Sequence, residues 1–190
     1  MADNVFGHGA DVELPRWRTF GEIWPSEIDQ FVEMERVRRP TLKDLNELRT
    51  FREEHVKAAF AEIIGEPFVP KDWGGETSDF FSSRLSVGGV PLASSFVLKG
   101  PSKFHPMRLP DLGTNGDQIV RMFYDPSDIF VVQHCHQVTL PIRIMLRALA
   151  NQIGRTRLFC VIDGADTLRI LRAYGKAPKP KRSSAKPRAA

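Results

Sequence analysis

The sequence predicts an α/β fold in which a mixed central sheet contains one antiparallel hairpin and is flanked by helices. The first observation is the helical spacing of apolar residues over 41–64. The second is a pair of apolar-rich runs on the two sides of Gly88-Gly89, since a Gly-Gly pair between such runs is typical of a hairpin turn. The third is the alternation of apolar strand-like runs with helical segments from residue 128 onward, which indicates parallel neighbouring strands.

Length and composition limit the class of protein. A chain of 190 residues can bury a sizeable core in one domain and is short for two. No apolar run approaches the roughly 18 residues that a membrane-spanning helix requires, and the first residues lack the apolar stretch of a secretion signal. Cys135 and Cys160 each lie in an apolar strand-like run, so we expect buried, reduced thiols. These features predict a cytoplasmic protein with no membrane segment.

The chain divides into three parts by composition: an N-terminal arm with a short helix over 1–40, a domain over 41–174, and a disordered basic tail over 175–190. The tail holds six of the 27 basic residues and no acid, so the rest of the chain carries 21 basic and 23 acidic residues. With no apolar anchors the tail cannot fold alone. It can add salt-sensitive affinity for nucleic acid, or it can serve solubility or contact an acidic partner.

The clearest single element is a helix over 41–64. Thr41 and Asp44 have the spacing of a capping arrangement, and Gly65 marks the end of the helix. Arg49 and Arg52 fall inside its apolar stripe and interrupt it, and Glu53 lies on the flank of the stripe. Such a gap in a buried stripe either pairs internally or faces a cleft.

The remaining elements follow in a regular order after the hairpin. A loop over 100–116 carries several basic or histidine side chains, and loops of that length in a compact domain tend to be functional or mobile. Beyond it the pattern predicts a short helix over 117–123, a strand over 128–135, a helix over 138–152, a strand over 158–162 and a helix over 166–174.

Asp79 and Lys99 lie at the open end of the predicted hairpin. If the chain folds about Gly88-Gly89, the numbers of facing residues sum to 177 or 178, which puts Asp79 opposite Lys99 or one place diagonal to it. Metal-dependent cleavage of a phosphodiester needs an acid that holds a cation and a group that stabilises developing negative charge. The plain alternative is a cross-strand salt bridge, worth under about 1 kcal/mol if exposed.

The order helix, antiparallel hairpin, helix, strand, helix, strand, helix resembles the restriction-endonuclease-like fold of the PD-(D/E)xK nuclease superfamily. The resemblance covers roughly residues 41–162 and is topological more than motif-level. It implies that Asp79 is the first acid of the motif, that Lys99 is its lysine, and that Glu53 is the acid from the preceding helix. Gln118, in the helix after the lysine strand, matches a glutamine found in some branches of the family.

The resemblance implies a metal-dependent nuclease, with a role in defence or nucleic-acid processing. Its cofactor would be Mg²⁺ or Mn²⁺, and its partner would be nucleic acid, DNA rather than RNA, with a homodimer or a larger complex left open. The implied catalytic residues are Asp79, Lys99, Gln118 and Glu53, the implied metal ligands are Asp79, Glu53 and Glu76, and the expected nucleic-acid contacts are Lys103, His105, Arg108, Lys179, Lys181 and Arg182.

Val97 departs from the family pattern, because the family places an acid two residues before its lysine. Either the acid has migrated, with Glu53, Glu76 or Asp117 supplying the missing oxygen, or the domain binds nucleic acid or a protein partner without cutting. Mg²⁺ can be held by one or two carboxylates together with phosphate oxygens, so a migrated acid is workable chemistry. Both interpretations stay open on the sequence.

Two other clusters have plainer explanations. His134 and His136 alternate on a predicted strand and so point the same way, but no further ligands have zinc-site spacing, and polar residues near a cleft are the simpler interpretation. Asp163 follows a strand and precedes a helix, where a turn at Gly164 and a helix cap at Asp166 or Thr167 are the simpler interpretation. No phosphate-binding loop GxxxxGK[ST] and no GxSxG elbow occurs, so an NTPase or a serine hydrolase has no support.

Overall fold

The structure is a computed structural model that describes residues 21–178 apart from 71–76 and 114–115. Of the residues predicted to be functional, Glu76 and the tail residues Lys179, Lys181 and Arg182 lie outside the described part of the chain.

A mixed sheet of five strands forms the centre of the described structure, as the sequence predicts. In chain order its strands are β1 (Glu22–Ile23), β2 (Phe80–Val87), β3 (Val90–Lys99), β4 (Ile129–His134) and β7 (Leu158–Ile162). Their spatial order is β1-β7-β4-β3-β2, with β2 and β3 antiparallel and the other neighbours parallel. A separate small ribbon joins β5 (Asn151–Gln152) to β6 (Arg155–Thr156).

The helices alternate with these strands. They are α1 (Glu53–Ile64), α2 (Asp117–Met122), α3 (Leu140–Ala150) and α4 (Gly164–Ala173), together with 3-10 helices at Pro25–Glu27, Asp29–Arg36, Asp44–Thr50, Pro101–Lys103 and Leu109–Asp111. In the described parts of the chain, no helix combines the length and the apolar character needed to cross a bilayer.

Each face of the sheet covers its own apolar core. One core gathers α1, α4 and the N-terminal 3-10 helices, with Phe31, Phe60 and Phe96 fully buried. The other gathers α2 and α3 against the opposite face, around Val97 and Phe130. Two covered faces explain why β4 is buried along its whole length, as expected of a parallel strand inside a sandwich of helices.

The described part of the predicted arm is integrated into the domain. Glu22–Ile23 adds the strand β1 to the edge of the sheet beside β7. The short helix predicted within this arm is two 3-10 helices, Pro25–Glu27 and Asp29–Arg36, and Phe31 on the second is buried in the core. Asp29 accepts hydrogen bonds from the amides of Gly88 at 3.0 Å and Gly89 at 2.8 Å, so this segment also fixes the hairpin turn.

The prediction of one continuous helix over 41–64 is wrong. Thr41 and Asp44 do bond reciprocally, but the helix that starts there is a 3-10 helix, Asp44–Thr50, whose N-cap position is Lys43. Phe51 and Arg52 then have extended backbones, and α1 starts afresh at Glu53. The close approach of Gly100 to Glu53 gives a physical reason, because it holds the start of α1 against the end of β3.

The predicted hairpin forms, but its register shifts along its length. Near the turn the pairs are Val87 with Val90 and Leu85 with Leu92, whose numbers sum to 177 as predicted. An irregularity between Ser82 and Leu85 moves the register by one, and Phe80 then pairs with Phe96. Continued outward, this register places Asp79 opposite Val97. The predicted position of Asp79, opposite Lys99 or one place diagonal to it, is therefore wrong. The cause is the bulge, which the sequence did not reveal.

Candidate functional site

The proposed site residues lie where the parallel strands end. β3 ends at Lys99, β4 ends at His134 beside it, and β7 ends at Ile162. The antiparallel β2 begins at this same edge, with Asp79 just before it. Because the carboxyl ends of parallel strands are where α/β folds place their ligand sites, this edge is the natural location for chemistry.

Glu53 is held at the end of β3. Its Oε2 accepts a hydrogen bond from the Gly100 amide at 3.0 Å. The two backbones approach so closely that a Cβ on Gly100 would lie 2.6 Å from the Glu53 Cβ, so only glycine fits there. The charged position at Glu53 is therefore explained by a contact with the sheet edge. Glu53 is the first residue of α1, and its carboxylate binds the backbone at the end of β3.

Asp79 is the most perturbed acid of this edge. It is 8% exposed, its amide donates to the Phe96 carbonyl, and its Oδ2 accepts from the Leu98 amide. Burial raises the pKa of Asp79 to about 6, with the Glu53 charge adding to the rise and the Lys99 charge opposing it. A carboxylate that is both buried and influenced by several charges is a candidate functional group on physical grounds.

Asp79 and Glu53 thus both bind the β3 backbone, one on each side of Lys99. They bind the amides of Leu98 and Gly100, the residues immediately before and after Lys99. The structure therefore brings together three of the four predicted catalytic residues. Among the described residues, Lys99 and Asp79 are not within ion-pair distance, although Lys99 is the largest charge influence on the carboxyl.

Lys57 belongs to the same charge cluster, and the sequence analysis missed it. It is 6% exposed on α1, one turn after Glu53, and its charge also opposes the rise in the pKa of Asp79. The spacing Glu53, Lys57, Phe60, Ile64 places two charged residues on one helical line with two buried apolar ones. That spacing was readable from the sequence and would have pointed to Lys57.

A buried glutamine fixes the backbone of Lys99 from β4. Gln133 is fully buried, its Oε1 accepts from the Lys99 amide at 3.2 Å, and its Nε2 donates to Thr167 Oγ1 on α4 at 3.0 Å. Thr167 in turn donates to the His134 carbonyl. This chain of hydrogen bonds joins β3, β4 and α4 directly behind the lysine.

The loop that was predicted to contact nucleic acid is organised around Asp111. Lys103 Nζ lies 3.5 Å and His105 Nδ1 lies 3.8 Å from the Asp111 carboxylate, and the Arg108 amide donates to it. Burial alone would raise the pKa of Asp111, but the Arg108 amide and the two basic side chains lower it. The Lys103 and Arg108 side chains remain exposed, while His105 is half-buried.

Gln118 is not brought to the site. It lies at the start of α2, whose Ile119 and Met122 pack into the core on the Val97 side of the sheet. Its amide donates to the Leu112 carbonyl, and no described contact joins its side chain to Asp79, Glu53 or Lys99. The position of Gln118 in the chain matched the family pattern, but the structure gives that match no geometric support.

The histidine pair and Asp163 follow the plainer explanations. His134 is buried with Nε2 against the His105 carbonyl at 2.9 Å, and burial lowers its pKa. His136 Nδ1 accepts from the Gln137 amide at 2.8 Å. Asp163 Oδ1 accepts from the amides of Ala165 and Asp166, so the N-cap of α4 is Asp163 itself and not Asp166 or Thr167 as predicted.

A group of planar side chains surrounds the start of α1, and the sequence analysis did not foresee it as a unit. The Arg49 guanidinium lies over the Phe104 ring at 4.2 Å, and the Phe104 ring meets His136 edge-on at 5.1 Å. Phe51 and His55 form a second ring pair at 5.7 Å. These residues come from three segments that converge beside Glu53 and Gly100.

The donor set of this edge suits a hard cation only in part. Within the described residues no group of three or more histidine, cysteine, aspartate or glutamate side chains could hold a metal ion. Two carboxylates are present, however, and Mg²⁺ is commonly bound through one or two carboxylates with waters and substrate phosphates completing its shell. No protein-family model, no curated protein and no solved structure matches the chain.

Proposed function

We propose that this protein is a divalent-cation-dependent nuclease with a restriction-endonuclease-like fold and an active site built from Asp79, Glu53 and Lys99. The fold proposal is supported by the element order and by a mixed sheet with one antiparallel pair beside parallel strands. The functional proposal depends on one observation: two carboxylates bind the amides on the two sides of Lys99.

This arrangement offers an answer to the missing family acid. Val97 is fully buried where the family places a carboxylate on the lysine strand. Glu53 reaches the same strand end from α1 and would supply the second carboxylate. Two acids and a lysine would then share one strand end, although the strand sequence lacks the second acid.

Asp79 and Glu53 are the residues that would hold Mg²⁺ or Mn²⁺, and Glu76 remains a proposed ligand outside the described residues. A bound cation lowers the pKa of water and neutralises charge on a phosphate. Lys99 would stabilise negative charge that develops on the scissile phosphate. Lys57, buried behind the acids, would balance their charge when no cation is bound.

Nucleic acid, DNA rather than RNA, is the proposed substrate, and a homodimer or a larger complex remains part of the proposal. The exposed Lys103 and Arg108 side chains border the site edge and would contact flanking phosphates, which positions a strand without reading its sequence. The basic tail with Lys179, Lys181 and Arg182 would add salt-dependent affinity. A cytoplasmic location is proposed in keeping with two buried, unpaired cysteines.

The second candidate is a nuclease-fold module that binds nucleic acid or a protein without cutting. One observation favours it: the carboxylates of Asp79 and Glu53 each already bind a backbone amide, as purely structural acids do. Under that alternative the two acids only satisfy backbone amides at the end of β3 and hold the start of α1 against it.

A cleavage assay on single-stranded and duplex DNA and on RNA, with Mg²⁺, Mn²⁺ or EDTA, separates the two. We expect cation-dependent cleavage that Asp79→Asn, Glu53→Gln and Lys99→Ala each reduce at least a hundredfold, as removal of a preorganised charge does. The matched control is Asp128→Asn, because Asp128 Oδ2 binds the Ala93 amide near the opposite end of β3 at 2.9 Å. Cleavage that survives in all three site variants, or none in the wild type with any cation, would reject the nuclease.

A further inference from the structure

The planar side chains beside the proposed site form a surface with the chemistry of a nucleobase-binding platform. We propose that Arg49, Phe104 and His136, called here the stacking group, bind unpaired nucleotides, so that the protein prefers single-stranded nucleic acid or unpaired ends to intact duplex. This inference rests on the proposed function for its setting, but it concerns binding and does not require cleavage.

The first support is the geometry of Arg49. Its guanidinium lies 4.2 Å from the centre of the Phe104 ring, and its Nε donates to Asn46 Oδ1 at 2.9 Å. These two contacts fix the plane of the guanidinium while the residue stays exposed. A planar cation held in place on the surface offers its outer face to a base, in the way that arginine planes stack on bases in complexes with unpaired nucleic acid.

The second support is the polarity of His136. Its Nδ1 accepts from the Gln137 amide at 2.8 Å, which leaves the proton on Nε2 in the neutral ring. Burial lowers the pKa of His136, and the nearby charges of His105 and Arg49 lower it further, so the ring is neutral at physiological pH. A neutral half-exposed ring whose Nε2 donates to no residue of the described chain can stack on a base or donate to its edge.

The third support is position. Phe104 lies four residues after Gly100 and Arg49 four residues before Glu53, and Glu53 and Gly100 are in direct contact. The stacking group therefore adjoins the proposed catalytic acids on the same sheet edge. Exposed Arg52 and Lys103 flank it with positive charge, which suits a backbone running past the stacked bases.

Only unpaired bases could use this surface. In a duplex the faces of the bases are covered by their neighbours, and reaching them costs a few kcal/mol of unstacking per base. In a single strand the faces are available, and stacking on protein side chains is tolerant of sequence. A preference for single strands without strong sequence selectivity follows.

The test is equilibrium binding by fluorescence anisotropy, with the cleavage-impaired Asp79→Asn protein in EDTA so that the oligonucleotide stays intact. Three probes of equal length are compared: a single strand, its duplex, and a single strand of abasic residues with the same phosphates. We expect binding to the single strand about tenfold tighter than to the other two probes. Equal binding to the abasic strand would overturn the proposal, because phosphate contacts alone would then explain the affinity.

Substitutions assign the effect to the stacking group. Arg49→Ala and Arg49→Lys should both weaken single-strand binding several-fold, since lysine keeps the charge but loses the plane. Arg36→Ala should leave the preference unchanged, because it removes an exposed arginine that pairs with Glu33 within the 3-10 helix Asp29–Arg36, away from the stacking group. If Arg49→Lys binds like the parent protein, stacking is rejected.

The failure of this inference is distinguishable from the failure of the proposed function. If the protein prefers single strands but never cuts, the proposal of the stacking group stands and the proposal of a nuclease is rejected. A protein that cuts duplex and single strands equally, without dependence on Arg49, would keep the nuclease and reject the stacking group.

Discussion

Asp79 and Glu53 bind two backbone amides at the end of β3, Asp79 the amide of Leu98 and Glu53 the amide of Gly100. The residue between those amides is Lys99. Two segments that are distant in sequence, the start of α1 and the approach to β2, are thereby anchored to one strand end. Every prediction about the site depends on whether these acids serve only that anchoring or also hold a cation.

Asp79→Asn separates the charge of the side chain from its hydrogen bond. The amide oxygen of asparagine can still accept from Leu98, so the fold should survive. Because burial raises the pKa of Asp79 to about 6, removing its charge should also stabilise the cation-free protein at pH 8. Urea unfolding with EDTA measures this. A large loss of stability at pH 8 would show that the carboxylate is purely structural.

The same group predicts a pH dependence. The folded pKa of about 6 lies above the ordinary value of 3.8, so the folded state holds the proton more tightly than the unfolded state. Asp79 therefore lowers stability as pH rises from about 4 to about 6, by about 3 kcal/mol once both states are ionised. The stability difference between wild type and Asp79→Asn should grow over that range and be flat above it. A difference that does not change with pH would contradict the burial of this charge.

Gly100→Ala tests the contact that positions Glu53. The added Cβ would lie 2.6 Å from the Glu53 Cβ and 2.7 Å from its Cα, so the end of β3 and the start of α1 must move apart. We expect a loss of about 1–3 kcal/mol, as for other overpacked sites, and weaker cation binding. Thermal unfolding with and without Mn²⁺ checks both effects. Gly65→Ala is the comparison variant. Its added Cβ would contact no atom within 4 Å, but the φ of 78° is strained for alanine, so the change costs stability without touching the site.

Gln133→Leu tests the network behind Lys99. The change leaves the Lys99 amide and Thr167 without their side-chain partner, which should cost about 1–3 kcal/mol of stability. If Gln133 positions the lysine, cleavage should fall in the wild-type background but much less in a Lys99→Ala background. Ser95→Ala removes the part-buried hydrogen bond that Ser95, earlier on β3 than Lys99, donates to Asp125, and it controls for simple destabilisation. Equal losses in both backgrounds would leave Gln133 with a structural role only.

Much of the fold could be predicted because its signals are local. The Gly88-Gly89 pair specifies the turn of the hairpin, and the strand predicted over 158–162 has the bounds of β7. The parallel placement of β4 and β7 followed from the helix between them. These features depend on residues near each other in the chain.

The differences come from contacts between distant segments. The break of the predicted helix at Phe51 and Arg52 is explained by the meeting of Glu53 with Gly100, which no periodicity reveals. The bulge between Ser82 and Leu85 moved Asp79 opposite Val97, and one-residue register shifts leave little mark on composition. Lys57 was different, because its spacing with Glu53 was visible in the sequence.

Whether Asp79 and Glu53 hold a divalent cation is tested most directly by a Mn²⁺ titration followed by electron paramagnetic resonance at pH 8, where Asp79 is ionised. We expect one bound Mn²⁺ per wild-type chain, which is lost in both Asp79→Asn and Glu53→Gln and kept in Asp128→Asn. No bound ion in the wild type, or an ion that both site variants retain, would contradict this expectation.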